Sequence, residues 1–350
     1  MKNTKIRVGI TQGDINGISY EVIIKTLLDN RIFDICIPIV YGSPKVAAYH
    51  RKALNIDNFS FNTIKSPEEA NTKRANLINC TSDNVRVELG KSTPMAGEAS
   101  YKSLDAAAKD LENNKIDVIV TGPINKYNIQ SDKFSFAGHT EFFESRFKSD
   151  GVLMLMVNEL FKVGVVTAHI PINKVAELIT ADNVLTKIRI LNKSLMVDFM
   201  VRKPRIAVLG LNPHAGDNGV IGDEENKEII PALKAAREED INVFGPFSAD
   251  GFFGSDTFTR FDGIIAMYHD QGLIPFKAMT YEGGVNFTAG LPIVRTSPAH
   301  GTAYELAGKD EAYPDSFRKA IYLACDIYNN RQAYKDMTNN PLKIQNLSEA

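Results

Sequence analysis

The chain has 350 residues, long enough for two domains of ordinary size or one large α/β unit with a substantial buried core. Apolar residues make up 44% and charged residues 23%, ordinary globular values that exclude extensive disorder. Lys plus Arg number 40 against 42 for Asp plus Glu, so no global field draws the protein to nucleic acid or to an anionic membrane, and an anionic ligand must be caught by local charges.

In chain order, the first β-branched apolar run is 6–10. It ends at Gln12, Gly13 and Asp14, too soon for a signal h-region. The turn Gly13-Asp14-Ile15-Asn16-Gly17 joins it to a helix beginning near Ser19; such a turn suits either close backbone approach to a ligand or a tight strand-to-helix connection. A second strand is predicted at 35–41, after which 65–87 is polar and weakly periodic and reads as a surface excursion. The spacing of Leu104, Ala107, Ala108 and Leu111 predicts a helix over 100–111, followed by a strand at 117–121 and a helix-like run at 141–147. The longest apolar run, 152–157, cannot span a bilayer. Strands follow at 163–167, 205–209 and 263–268, and Phe317, Ala320, Ile321, Ala324 and Tyr328 share one face of a helix over 315–328. Short strands alternating with helices predict an α/β fold with a largely parallel sheet. No internal repeat and no Pro/Gly/Ser-rich linker divides the chain. Cys36, Cys80 and Cys325 are far apart and form no CxxC pair, as expected of reduced thiols in a cytoplasmic protein.

The histidines carry the first sign of chemistry. Of six, five sit in loop-like sequence, and His50, in a polar helical stretch, is the exception. His169, His214 and His269 each follow a predicted strand. In an open α/β sheet the carboxyl ends of strands border the ligand crevice. Three imidazoles delivered there could bind a divalent ion and leave positions open for substrate; the alternative is three ordinary loop histidines, and the order of strands in space decides. An imidazole-rich set suits zinc and its transition-metal neighbours. A second group handles anions. Gly138-His139-Thr140 precedes a helix-like run and offers backbone N–H groups, while Lys277, Asn286 and Arg295 lie in the Gly-rich stretch after His269. Taken singly, each of these is equally a solvated surface cation or a turn residue. Neither GxGxxG after a strand nor GxxxxGK[ST] occurs, so a nicotinamide cofactor is not bound through a Rossmann fingerprint.

Together the motifs Gly138-His139-Thr140-Glu141, Thr167-Ala168-His169-Ile170-Pro171, Leu211-Asn212-Pro213-His214-Ala215-Gly216, Met267-Tyr268-His269-Asp270-Gln271-Gly272-Leu273, Val285-Asn286, Gly290-Leu291-Pro292, Arg295-Thr296-Ser297, His300-Gly301-Thr302-Ala303 and Ala307-Gly308 resemble the 4-hydroxythreonine-4-phosphate dehydrogenase family of pyridoxal phosphate biosynthesis. The resemblance implies a two-domain α/β/α architecture of the isocitrate/isopropylmalate dehydrogenase-like type with the active site in the interdomain cleft. Residues 1–124 with 271–350 would form the cofactor side, and 125–270 the metal, substrate and dimer side. It further implies that His169, His214 and His269 bind one divalent ion per subunit (Zn, Mg or Co). His139, Thr140, Lys277, Asn286 and Arg295 would contact a small phosphorylated substrate, with Lys277 and His139 as catalytic groups. NAD or NADP would meet Asp14 and the loop His300, Gly301, Thr302 and Ala303, and a homodimer would share the active site. Against the family's usual Gly-Asp-Pro-Ala-Gly-Ile-Gly-Pro-Glu, Ile15, Asn16, Ser19 and Tyr20 stand here in place of Pro, Ala, Gly and Pro. Ala299 replaces an Asp before the His-Gly-Thr-Ala loop, and Gly251 replaces the Thr of Ala-Asp-Thr. The implied reaction oxidises 4-phosphohydroxy-L-threonine. Its alternatives are a sister dehydrogenase of threonate or erythronate 4-phosphate, or a metal-dependent hydrolase or acyl/phosphoryl transferase, for which the 300–308 loop has no evident use.

Overall fold

The structure, a computed structural model, describes residues 5–82, 84–280 and 283–340. The β-branched runs become strands buried on both faces, as parallel strands covered by helices must be. They are β1 (Ile6–Thr11), β2 (Cys36–Gly42), β5 (Val118–Thr121), β7 (Lys162–Thr167), β8 (Arg205–Leu209) and β10 (Gly263–Tyr268). Between them lie β3 (Asn62–Ile64), β4 (Asn76–Asn79), β6 (Leu153–Val157), β9 (Asn242–Phe247), β11 (Val285–Ala289) and β12 (Arg295–Pro298). The two helices expected from apolar spacing are longer than their periodic cores, Pro94–Glu112 and Asp315–Thr338. The first gains its extra turn from Thr93, whose side chain accepts from the Ala96 N–H, with Pro94 at a position that needs no donor.

All twelve strands join one sheet in the order β3-β4-β2-β1-β5-β12-β11-β6-β7-β10-β8-β9. The strands from β3 to β12 run parallel to one another, and so do β7, β10, β8 and β9. In the middle, β11 is antiparallel to both β12 and β6, and β6 is antiparallel to β7. The two parallel groups therefore run in opposite senses. Twist of roughly 20–25° per strand accumulates to about 100–125° over the five steps from β5 to β10, enough to turn the carboxyl ends of both groups toward one face of the central strands.

The polar segment 65–87 departs from the expected surface excursion. It contains β4, which pairs with β2 and β3 and buries Leu77 and Asn76 completely. Asn76 tolerates burial because its amide donates to the carbonyls of Pro38, Asn71 and Arg74, while its oxygen accepts from Asn62 and the Asn71 N–H. His50 lies in the Pro44–Ala53 helix and is 2% exposed. It pairs with the Ile15 carbonyl at 2.8 Å, stacks on Tyr20, and is pushed down to about 4 by burial. Among the described residues no helix is long and apolar enough to cross a membrane.

Candidate active site

Strand alternation builds the floor of a cavity of 240 Å³ on the central strands. In β6, β11 and β12 the residues Met154, Met156, Asn286, Arg295 and Ser297 face it, with Met156 opposite Asn286 and Asn286 opposite Ser297. Their neighbours Leu153, Leu155, Phe287 and Ala289 face the main core instead. The loop after β5, the start of the His139–Phe147 helix, and the ends of β7, β10 and β12 form the walls.

The strongest electrostatic feature is Arg295, 2% exposed and without a carboxylate partner. Its guanidinium donates to Thr121 Oγ1 at 2.7 and 3.2 Å, to Thr288 Oγ1 at 3.1 Å and to His139 Nδ1 at 3.1 Å. Burial presses its pKa down to about 10. A guanidinium can only donate, so His139 Nδ1 accepts and Nε2 carries the ring proton. That Nε2 is buried with no partner. Burial first, then Arg295 and Lys126, hold His139 well below its ordinary pKa, so it stays neutral. A buried, unpaired cation beside an orphaned donor is a receptor for an anion. Among the described residues, seven buried side-chain polar atoms lack partners, and four of them (His139 Nε2, Glu141 Oε2, Asn286 Oδ1 and His300 Nε2) belong to residues lining this cavity, which marks it as built for a ligand. Thr140 and the half-exposed end of the site, with the exposed Lys277, complete its anion handles.

The three strands that end in histidines are adjacent, in the order β7-β10-β8, and parallel, so their carboxyl ends share one edge. His169 and His269 meet there, ring centroids 5.8 Å apart. His269 Nδ1 lies 2.7 Å from Asp270 Oδ1, and His169 Nδ1 faces Glu141 Oε1 at 4.0 Å. A carboxylate at Nδ1 leaves Nε2 as the ligating nitrogen, the arrangement that orients metal-binding imidazoles. The ammonium of Lys126 already sits 3.1 Å from His169 Nε2, a cation in the place an ion would take. The two histidines fit a divalent metal as part of its ligand set. His214 lies on the same edge but is exposed, in a left-handed run with φ 55° at His214 itself. It is absent from the cavity lining, and among the described residues no group of three or more His, Cys, Asp or Glu stands together in metal-holding reach.

Of the residues expected to meet a dinucleotide, His300 and Gly301 line the cavity. His300 Nδ1 donates to the Gly301 carbonyl, so its buried Nε2 is a bare acceptor, and burial lowers its pKa. Thr302 does not line it; its carbonyl accepts from the Ile18 N–H at 3.0 Å and packs over Gly17, where a Cβ would lie 2.5 Å away. Ala303 takes a left-handed conformation at φ 42°. Asp14 is fully buried, with oxygens receiving the Asn16 N–H, the Asn128 amide and the Tyr304 hydroxyl. Its carboxylate braces the first turn, the post-β5 loop and the 300–308 loop against one another.

The chain matches the family described as pyridoxal phosphate biosynthetic protein PdxA over residues 34–324. It belongs to this family. A relative from Bacteroides thetaiotaomicron, named 4-hydroxythreonine-4-phosphate dehydrogenase, is 53% identical over 346 residues, covering 99% of this chain and 95% of its own. A solved structure of a 4-hydroxythreonine-4-phosphate dehydrogenase from Klebsiella pneumoniae, 30% identical, superposes with a TM-score of 0.80 over 94% of this chain and 99% of that one. A β-decarboxylating dehydrogenase from Thermococcus kodakarensis, 14% identical, shares the fold with a TM-score of 0.51 over 96% of this chain and 89% of that one. The α/β architecture is thus that of the PdxA family and its β-decarboxylating neighbours.

In this PdxA family member the sequence reading passed over Lys126, Glu141, Thr121 and Thr288. Lys126 follows β5 as the histidines follow their strands, so the strand-end rule applied to every polar residue finds it. Half burial lowers the Lys126 pKa, while His169 is the main influence holding Glu141 below the usual carboxylate range. Thr121 and Thr288 carry no signal of their own; only the cross-strand arrangement shows them under a guanidinium.

Proposed function

We propose that the chain oxidises 4-phosphohydroxy-L-threonine with NAD or NADP to 2-amino-3-oxo-4-(phosphohydroxy)butanoate, which decarboxylates to 3-amino-2-oxopropyl phosphate, in the cytoplasm. The observation that carries this reading is the buried, uncompensated Arg295 with the orphaned His139 N–H, next to a pair of carboxylate-backed histidines. Arg295, His139 and Thr140 hold one anionic group of the substrate, and Lys277 on the opposite wall reaches the other. His139, neutral and with Nδ1 occupied, acts as a donor at Nε2 and not as a base, and the substrate hydroxyl proton passes to solvent at the open end of the site, where Lys277 is exposed. His169, His269 and His214 would hold the divalent ion. When bound, that ion supplies Lewis-acid polarisation of the substrate oxygen, and the oxidised nicotinamide supplies the hydride acceptor. The new ketone lies β to the carboxylate, so carbon dioxide is lost readily, and the donors around the oxygen favour the enolate left behind.

The proposed division into 1–124 with 271–350 and 125–270 draws support from the sheet, where β1–β5 lie at one end, β6–β10 at the other, and β11 and β12 between, although its second boundary falls inside the helix His269–Met279. A homodimer is favoured by one observation. Ile172, Ile274 and Val220, 71%, 64% and 81% exposed, follow the three histidines on the same edge, an apolar set that a second copy would cover while His214 meets its metal. The three cysteines are unpaired, in keeping with a reducing compartment.

The test is direct. Purified protein with 4-phosphohydroxy-L-threonine, either dinucleotide and added zinc, magnesium or cobalt is expected to produce reduced nicotinamide. No reduction with any combination refutes the reading.

A further inference from the structure

We propose that Glu141 Oε2 receives the α-ammonium of the substrate and so sets a preference for an amino acid phosphate over its hydroxy counterpart. The inference rests on the reaction proposed above, in which Glu141 has so far only backed His169 through Oε1. Glu141 stands in the first turn of the His139–Phe147 helix. Its Oε1 faces His169, whereas Oε2 is buried without any partner. A Cβ at Gly138 would lie 3.4 Å from Oε2, so the glycine keeps the space before it open. The nearby ammonium of Lys126 points at His169 Nε2 and makes no hydrogen bond to Oε2. An ionised carboxylate oxygen left unpaired in a protein interior is costly, and a donor brought by the ligand removes that cost.

Charge selects which ligand group goes there. Lys126, Lys277 and Arg295 line the cavity, and among its described lining residues Glu141 is the sole carboxylate. A substrate ammonium is repelled by the first three and attracted by the fourth. Covalent geometry gives the same answer. The reacting alcohol carbon, beside His169 and His269, is bonded directly to the carbon bearing the amine, and Glu141 lies 4.0 Å from His169. A hydroxyl in the amine's place is neutral and recovers only an ordinary hydrogen bond. Asn286 Oδ1 and His300 Nε2, the other orphaned acceptors in the lining, are neutral and have no reason to distinguish the two.

The experiment compares kcat/KM for 4-phosphohydroxy-L-threonine and for threonate 4-phosphate in the wild type, Glu141→Gln and Glu141→Asp, alongside calorimetric zinc binding without substrate. Glu141→Gln keeps the shape and a polar oxygen facing His169 but loses the charge. Its amino-over-hydroxy ratio is expected to fall roughly 10- to 100-fold, through KM of the amino substrate; any loss of zinc affinity through His169 strikes both substrates alike and leaves the ratio unmoved. Glu141→Asp is expected to recover part of the ratio. An unchanged ratio overturns the proposal, as does an equal loss on both substrates accompanied by weakened zinc binding, which assigns Glu141 to holding His169 alone. Should the wild type oxidise neither compound, the reaction itself is refuted, and calorimetry of the two phosphates on zinc-loaded protein decides about Glu141. Weakening confined to the amino compound upholds its role; equal weakening ends it.

Discussion

Replacing Arg295 by Met separates binding from folding at the centre of the site. The guanidinium is 2% exposed, and burial takes its pKa from 12.5 to about 10, so its charged form is disfavoured by about 3 kcal/mol. Its hydrogen bonds to Thr121, Thr288 and His139, worth roughly 1 kcal/mol each or somewhat more, offset that cost without exceeding it by much. Methionine removes the charge and the hydrogen bonds together, so the free protein is expected to change in stability by no more than about 2 kcal/mol in either direction. Binding has no such compensation. Loss of a desolvated cation opposite a substrate anion costs about 2–5 kcal/mol, a rise in KM of roughly 30-fold to several thousand-fold. Thermal unfolding with inorganic phosphate supplies a readout free of turnover. A phosphate concentration of 100 Kd stabilises the wild type by about 2.7 kcal/mol, and the same concentration should leave the Met variant nearly unmoved. A variant several kcal/mol less stable whose midpoint still rises with phosphate would show that Arg295 braces Thr121 and Thr288 and that the anion binds elsewhere.

Three further perturbations probe the frame around it. Asp270→Asn weakens the orientation of His269 through Nδ1 and is expected to loosen zinc binding about 10- to 100-fold by calorimetry, without unfolding the helix that begins there; an unchanged affinity would remove His269 from the ligand set. His50 titrates at about 4 in the folded protein against 6.5 for the free group, so only the unfolded state takes up its proton in that window. Stability therefore rises with pH between about 4 and 6.5, by up to about 3 kcal/mol from this residue, and His50→Gln should flatten that slope in denaturant titrations. A Cβ at Gly97 would lie 1.9 Å from the Asn128 carbonyl, so Gly97→Ala must push the loop that carries Lys126. Activity should fall severalfold or more although Gly97 touches no cavity residue directly, and a fully active Gly97→Ala enzyme would show that this loop position is immaterial.

Strands buried on both faces were legible because parallel strands under helices are continuous β-branched runs, and β1, β2, β5, β7, β8 and β10 all fall where such runs lie. Three of the remaining strands obey a different rule. In β11, Asn286 and Thr288 alternate with apolar residues, and in β12 Arg295 and Ser297 flank the buried Thr296, because one face of each strand turns toward the binding-site floor, and that pattern reads as polar loop. In β4, Asn76 disguises a fully buried position, its polarity absorbed by three backbone carbonyls. Both failures have one cause: sequence patterning reports burial against hydrocarbon, and these positions are buried against hydrogen-bonding partners.

The site divides along the same line. His169 and His269 stood out because three histidines after three predicted strands form a pattern that one loop histidine does not, and strand adjacency in the order β7-β10-β8 brings these two together. His214 obeys the same sequence rule yet stays exposed, because Glu225, 2% exposed, pins the Leu211 and Asn212 N–H groups and the chain beyond enters a left-handed run. A histidine fixed outward by a buried carboxylate is not a failed ligand of its own cavity. Held at the same edge as three exposed apolar side chains, it is placed to be pressed inward, or to serve the facing copy, once that edge is covered. Its outward setting has no local sequence signal, because the pinning residue, Glu225, lies eleven positions beyond it. A charge on the apolar rim, Ile274→Glu, is therefore expected to abolish the proposed dimer in sedimentation and, with it, tight zinc binding, while leaving the His169–His269 pair of each monomer in place. A monomeric Ile274→Glu protein that binds zinc as tightly as the wild type would separate the metal site from the interface and return His214 to its own cavity.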